Sequence, residues 1–149
     1  MVKSPKRTWL DKSPLVCIVT DRRRLNNKAE SGDLNPLRQL VVESVRAGVD
    51  LLQIREPDLS DRLLAAVVSH SVATAEGSGT KIVVNDRVDI AVTAAADGVH
   101  LKEASMPAER VETILPKSFL IGQSVHGVDE AERATRSGAV DYLVAGTVF

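Results

Sequence analysis

The chain has 149 residues, of which 44% are hydrophobic and 26% are charged, and this composition is typical of one globular domain rather than a disordered segment. Its formal net charge of -1 excludes a global attraction to nucleic acid or to anionic lipid, so we expect neither kind of partner. One cysteine cannot form an intramolecular disulfide and no apolar run has the length of a membrane span, which predicts a cytoplasmic protein.

We treat residues 1–13 as an N-terminal extension and residues 14–149 as the domain. Within the domain, short apolar runs alternate with helical patterns. The first run, at 15–20, is rich in β-branched residues and predicts a buried strand in which Cys17 packs as a small hydrophobe without a catalytic role. Helices are predicted after Pro36, which suits a first helical turn, and after Ser60, which suits an N-cap. The further predicted strands lie at 49–54, 81–84, 98–101, 119–124 and 141–145, and the further helices at 88–93, 107–115 and 128–137.

Six strands that alternate with helices predict a parallel sheet with right-handed crossovers. No glycine-rich dinucleotide loop follows the first strand, so an α/β barrel is favoured over a doubly wound sheet. Asp50, Asp97 and Asp141 each stand shortly before an apolar strand, in a helix-to-strand turn that recurs along the chain. These turns are informative about the fold and not about chemistry.

Polar residues follow the strands at the edge where a barrel places its active site. Gln53 and Arg55 are separated by one residue, so both point to the same side of the second strand, which in a barrel is the interior. An arginine near a barrel mouth is costly without an anion, and its guanidinium engages phosphate through two parallel hydrogen bonds. The sequence therefore predicts phosphate binding here, with an internal ion pair to Glu56, Asp86 or Glu103 as the alternative.

Further candidates for ligand binding or proton transfer follow the third and fifth strands. Asn85 and Asp86 offer a neutral and an anionic oxygen, which suits a magnesium ion bound with a phosphate; alternatively, Asp86 caps the helix that follows. His126 follows Ser124 at a one-residue interval, and the usual pKa of histidine, about 6.5, suits acid or base work, with a purely structural role as the alternative. His100 is expected to pack or hydrogen-bond inside the barrel.

Six motifs in series resemble those of a known family. They are Val19-Thr20-Asp21-Arg22, Gln53-Ile54-Arg55-Glu56, and the segments at 84–91, 96–101, 121–126 and 146–149. In this order and spacing they resemble the thiamine phosphate synthase/TenI superfamily. The resemblance implies a TIM-type (β/α) barrel that binds phosphorylated thiazole and, in the synthase, also a pyrimidine diphosphate.

The resemblance implies different chemistry for the two branches of the superfamily. In the synthase, the positions of Gln53, Arg55, Asn85 and Asp86 hold magnesium and the pyrophosphate of the pyrimidine substrate. In the tautomerase, the histidine at the position of His126 moves a proton, and no cofactor is needed. Ser124 is expected to be one of the residues that bind the substrate or its phosphate.

The chain departs from the synthase pattern in the pyrophosphate and metal site. Pro57 stands where the pattern has a lysine, and Lys102-Glu103-Ala104-Ser105 stands where it has Gly-Gln followed by a magnesium-binding aspartate. Ser124-Val125-His126 resembles the tautomerase form, whereas Asn85-Asp86 resembles the synthase form. Together with the departures, this favours a thiazole tautomerase acting on thiazole carboxylate phosphate, with His126 as the proton-transfer group. One alternative is a thiamine phosphate synthase, which uses Mg²⁺ and joins hydroxymethylpyrimidine diphosphate to thiazole phosphate with release of pyrophosphate. Another is a non-catalytic phosphate-binding or inert truncated relative.

The sequence ends at Phe149, after the sixth predicted strand. The resemblance therefore implies an incomplete barrel with about six of eight βα units, without the loops near strands seven and eight that usually hold a substrate phosphate. An open sheet of this kind exposes strand edges and apolar faces. We expect a missing segment or a partner chain to close the barrel, and a fragment of a longer enzyme is favoured.

Overall fold

The computed structural model describes residues 14–25 and 33–146, so the N-terminal extension predicted at 1–13 lies outside the described residues. Six parallel strands pair in chain order, and helices connect each strand to the next. The strands are β1 (Cys17–Val19), β2 (Leu51–Ile54), β3 (Lys81–Asn85), β4 (Gly98–Leu101), β5 (Leu120–Val125) and β6 (Tyr142–Ala145). The helices are α1 (Arg22–Leu25), α2 (Asn35–Arg46), α3 (Asp61–Ala75), α4 (Val88–Thr93), α5 (Ala108–Ile114) and α6 (Val128–Ser137). The predicted incomplete TIM-type α/β barrel is confirmed.

Alternate residues of each strand face opposite sides of the sheet. One side packs against the helices through a continuous apolar core, whose fully buried members include Leu37, Val41, Leu52, Ile54, Val67, Val68, Ile82, Val84, Val99, Leu101 and Ile121. The other side is the concave face, and a smaller apolar cluster of Leu51, Val83, Leu120 and Tyr142 covers its amino-terminal part. Toward the carboxyl ends of the strands the same face becomes polar, which places the candidate site there.

Three aspartates tie the amino ends of the strands together. Each side chain accepts a hydrogen bond from a backbone N–H at the start of the preceding strand, and each aspartate N–H donates to the carbonyl of that same residue. The side-chain bonds join Asp50 to Val16 at 2.9 Å, Asp97 to Ile82 at 2.8 Å and Asp141 to Ile121 at 2.8 Å. The recurrent turn seen in the sequence is therefore a clamp of two hydrogen bonds between neighbouring strands.

The first strand differs from its prediction. Cys17 is exposed, so the prediction of a buried hydrophobe at this position is wrong. Cys17 pairs with Leu51 and Val19 pairs with Gln53, which places both β1 side chains on the concave face. Within the described residues β1 is an edge strand with one neighbour, and nothing covers this part of the face; Val19 is accordingly 48% exposed.

Candidate functional site

The polar end of the concave face forms an open cavity of about 720 Å³. The residues that line it are Val19, Gln53, Arg55, Asn85, His100, Lys102, Glu103, Ala104, Ser124, His126 and Val144. The cavity thus brings together the predicted phosphate-binding residues and the predicted proton-transfer histidine. Asp86, the predicted metal ligand, is not part of the lining and lies at its side.

Two neutral amides from neighbouring strands form the floor of the cavity. The Gln53 side-chain nitrogen donates a hydrogen bond to the Asn85 side-chain oxygen at 3.0 Å. Gln53 is buried, and its neighbour supplies the hydrogen bond that a buried amide requires. Since Gln53 lies on β2 and Asn85 ends β3, this bond joins the carboxyl ends of two adjacent strands and fixes the orientation of both amides.

His100 lies at the centre of a second polar group, on β4. Its Nε2 is 2.8 Å from Ser124 Oγ, and its Nδ1 is 3.2 Å from the Tyr142 hydroxyl. Burial lowers the pKa of His100 from 6.5 to about 4, so the ring is neutral at physiological pH. A neutral imidazole has one donor and one acceptor nitrogen, and the two hydroxyls match them. The prediction that His100 hydrogen-bonds inside the barrel is confirmed, and its effect is to orient Ser124.

Tyr142 was not predicted as part of this group. Its ring crosses the sheet above Gly122, where an added Cβ would lie 2.1 Å from the tyrosine Cζ. A glycine on β5 is therefore required for the Tyr142 hydroxyl to reach His100. The signal in the sequence is the alternation along β6, which turns Tyr142 and Val144 to the same side of the strand.

The loop after β4 contacts Asp86, whose backbone adopts a positive φ of 64°. The Lys102 ammonium forms an ion pair with Asp86 Oδ2, and the Ser105 hydroxyl donates to Asp86 Oδ1. Burial opposes ionisation of this carboxyl, but the hydrogen bonds from Lys102 and Ser105 outweigh it and hold the pKa of Asp86 below its usual value. The alternative in which Asp86 caps α4 is wrong, because its carboxylate turns to the β4 loop, and Arg87 stands at the cap position.

Arg55 follows β2 at the mouth of the cavity and is exposed. Its backbone N–H donates to Thr20 Oγ1 at 3.0 Å, which ties it to the end of β1. Within residues 14–25 and 33–146 its side chain has no ion-pair partner, so the alternative of an internal ion pair is not formed there. Of the three alternative partners, Asp86 pairs with Lys102, and Glu103 lines the same cavity. Glu56 is buried, and its two carboxylate oxygens accept from the backbone N–H of Arg22 at 3.1 and 3.2 Å.

His126 stands at the carboxyl end of β5 and is exposed at the rim of the cavity. Its backbone N–H donates to Glu130 Oε2 at 2.7 Å, in the first turn of α6. The imidazole lies against Gly146, where an added Cβ would be 2.5 Å from His126 Cε1. Gly146 thereby leaves room for the ring to lie over the end of β6.

The donor atoms of this site do not fit a magnesium ion. Within the described ranges, no group of three His, Cys, Asp or Glu side chains is placed to hold a metal. Both oxygens of Asp86 already have partners, one of them a cation, and the Asn85 oxygen accepts from Gln53. Mg²⁺ requires oxygen donors in a near-octahedral arrangement, and a lysine ammonium occupies the place where it would bind to Asp86.

Comparison with known proteins identifies the family. Residues 16–149 match the family model described as thiamine monophosphate synthase. The chain belongs to the thiamine monophosphate synthase family. No helix among the described residues has the length and apolar character needed to cross a membrane.

Several members of the thiamine monophosphate synthase family are similar over most of this chain. Thiamine-phosphate synthase of Roseiflexus sp. is 33% identical, and the match covers 91% of this chain and 54% of the relative. That of Solidesulfovibrio magneticus is 37% identical, covering 91% of this chain and 61% of the relative. The solved structure of thiamine phosphate pyrophosphorylase from Pyrococcus furiosus has a TM-score of 0.76 and 32% identity, covering 91% of this chain and 61% of that one. The chain therefore spans between about half and three-fifths of these relatives.

The resemblance inferred from the six motifs is confirmed at the level of the superfamily. The choice of the tautomerase branch is not supported, because the two relatives carry the name thiamine-phosphate synthase and the solved structure that of thiamine phosphate pyrophosphorylase. The comparisons thus favour the alternative that the sequence ranked second. The preference for the tautomerase rests on the departures at Pro57 and Ser105 and on the likeness of Ser124-Val125-His126 to the tautomerase form. Changes in an anion site do not by themselves indicate a different reaction.

Proposed function

We propose that this protein is a thiamine phosphate synthase, which joins hydroxymethylpyrimidine diphosphate to thiazole phosphate and releases pyrophosphate. The thiazole ring nitrogen forms a bond to the pyrimidine methylene carbon. The carbon–oxygen bond to the diphosphate breaks, and its electron pair leaves with the pyrophosphate. The protein has no proton to move in this step, and its task is to stabilise the departing anion and to align the two rings.

The observation that carries the proposal is the guanidinium of Arg55, which has no ion-pair partner among residues 14–25 and 33–146 and stands at the mouth of a cavity with a neutral polar floor. A guanidinium binds phosphate oxygens through two parallel hydrogen bonds and keeps its charge at all physiological pH values. Gln53, Asn85 and Ser124 supply neutral groups that orient a ligand without adding negative charge. This distribution suits a diphosphate held at the rim with an aromatic ring directed toward the concave face.

The tautomerase remains the second candidate, because His126 is exposed at the rim of the same cavity. In that reaction the imidazole is the proton-transfer group, so it is indispensable to turnover. In the synthase reaction it is not required for bond formation. The two candidates therefore differ in how strongly activity depends on His126.

The test is an activity assay of the 149-residue chain with each substrate set. We expect pyrophosphate and thiamine phosphate to form together from hydroxymethylpyrimidine diphosphate and thiazole phosphate. Arg55→Gln should lower kcat/KM by roughly tenfold or more, since a charge-assisted contact to phosphate is lost. Arg38→Gln, which removes the same charge from an exposed position on α2, is the matched control and should leave kcat/KM unchanged.

Three outcomes would contradict the proposal. Isomerisation of thiazole carboxylate phosphate that His126→Ala abolishes, without formation of thiamine phosphate, would establish the tautomerase. Binding of the substrates without turnover of either set would establish the non-catalytic alternative. Equal kcat/KM values for Arg55→Gln and Arg38→Gln would show that Arg55 does not bind the substrate.

A further inference from the structure

Lys102 holds a positive charge at the place where the resemblance puts magnesium. Its ammonium contacts Asp86 Oδ2, while the Ser105 hydroxyl contacts Asp86 Oδ1, so both carboxylate oxygens have partners. We propose that Lys102 takes the role of the metal ion, and that this chain binds the phosphate groups of its ligand without a divalent cation. The proposal rests on the proposed phosphate-binding function and specifies how the charge of the ligand is neutralised.

The two positions at which the chain departs from the synthase pattern act together in the structure. That pattern has a glycine where Lys102 stands and a magnesium-binding aspartate where Ser105 stands. The glycine-to-lysine change introduces a cation next to Asp86, and the aspartate-to-serine change removes one negative charge from the same place. One carboxylate and one ammonium balance each other, so a magnesium ion there would meet a repelling cation and too few anionic ligands.

The β4 loop holds Lys102 in this position through Ser105. The Ser105 hydroxyl accepts the Lys102 backbone N–H at 2.8 Å and donates to Asp86. Asp86 is fixed in turn, because its backbone N–H donates to the His100 carbonyl at 2.8 Å. Ser105 and Asp86 are therefore positioning residues, and Lys102 is the group that meets the ligand.

The Lys102 ammonium is accessible from the cavity. Its side chain is 52% exposed, and Lys102 lines the cavity together with Arg55. An ammonium group has three N–H donors, of which the ion pair with Asp86 uses one, so two are directed elsewhere. Asp86 is outside the lining, and among the described residues that line the cavity Glu103 is the one carboxylate. The cavity thus presents two cations, from the ends of β2 and β4, to a single anionic ligand such as a diphosphate.

The test uses inorganic pyrophosphate as the probe and calorimetry on the 149-residue chain. We expect the same Kd in excess EDTA and in millimolar Mg²⁺ without chelator, after correction for the magnesium–pyrophosphate complex in solution. Lys102→Gln should weaken binding by roughly 10- to 100-fold, as expected for loss of a charged hydrogen bond. Lys117→Gln removes the same charge from an exposed turn before β5 and should leave Kd unchanged. Lys102→Arg should retain most of the affinity.

A double variant tests the role of Lys102 through the Mg²⁺ dependence of pyrophosphate binding, which would not change if Lys102 only supported the structure. Lys102→Gly combined with Ser105→Asp restores the residues of the synthase pattern and should bind pyrophosphate only when Mg²⁺ is present. Binding by the wild-type chain that is lost in EDTA would overturn the proposal, as would a Kd for Lys102→Gln equal to that of Lys117→Gln. These results are independent of turnover: metal-independent binding without synthesis would refute the proposed reaction alone, and magnesium-dependent synthesis would refute the role of Lys102 alone.

Discussion

The buried His100 makes the stability of the fold depend on pH in a defined range. Burial lowers its pKa from 6.5 to about 4, which means that the folded state favours the neutral ring. A histidine whose pKa is lower in the folded state than in the unfolded state contributes its full stabilisation above pH 6.5. This stabilisation is lost as the pH falls from 6.5 to 4, because the unfolded state binds the proton first. At 1.36 kcal/mol per pKa unit, the total corresponds to about 3 kcal/mol, of which about 2 kcal/mol falls between pH 7 and pH 4.5.

The measurement is the free energy of unfolding from urea denaturation at pH 7 and at pH 4.5, for the wild-type chain and for His100→Gln. Glutamine keeps a hydrogen-bonding side chain and does not titrate, so its cost is the same at both pH values. Glu56 titrates in the opposite sense, because burial raises its pKa and lowering the pH relieves that cost. This contribution is common to both proteins and cancels in the difference.

We therefore expect the wild-type chain to lose about 2 kcal/mol more stability than the variant over this pH interval. Equal losses in the two proteins would refute the reasoning, since the His100 ring would then titrate alike in the folded and unfolded states. A larger loss in the variant would do so as well, because it would mean that the fold favours the charged ring.

Two further predictions concern the strands. Gly98→Ala should lower the free energy of unfolding, measured by urea denaturation, by about 1–3 kcal/mol or more, because its Cβ would lie 2.4 Å from the Leu120 carbonyl oxygen. Gly79→Ala is the control: its Cβ meets nothing within 4 Å, so the free energy of unfolding should change little. Asp97→Ala should cost about 1–3 kcal/mol, because the Ile82 N–H loses its side-chain acceptor, whereas Asp97→Asn keeps that acceptor and should cost about 1 kcal/mol or less. Equal effects within either pair of variants would contradict these assignments.

Much of the fold follows from local sequence patterns. The segments at 98–101, 88–93 and 128–137 have the predicted bounds in the structure, and the remaining strands differ by one or two residues at their ends, as is usual for hydrogen-bond-based bounds. Ser60 caps its helix as predicted, since its side chain accepts from the Leu63 N–H at 3.4 Å. Local patterns do not show whether neighbouring elements cover a strand. The burial of Cys17 was wrongly predicted because an apolar strand at the edge of a sheet has the same sequence pattern as one at its centre.

The candidate site was predictable where the strand geometry alone decides position. Gln53, Asn85, Ser124 and His126 share the cavity because alternate residues of parallel strands share a face. The partners of Asp86 were not predictable, because they depend on how the loop after β4 folds back toward β3. The spacing of residues along the chain does not indicate that Lys102 contacts Asp86. From the sequence alone, Lys102 is only a departure from the synthase pattern.

The aspartate clamps have a consequence for how much sequence change the opposite rim can tolerate. Each clamp fixes the register of two strands at their amino ends, and the carbonyls of Asp50 and Asp97 also accept from Lys81 and Leu120 of the next strand along. The alignment of the sheet is thereby set about one strand length away from the cavity. We therefore expect loops at the carboxyl ends to exchange residues without shifting any strand, and Lys102 and Ser105 lie in such a loop.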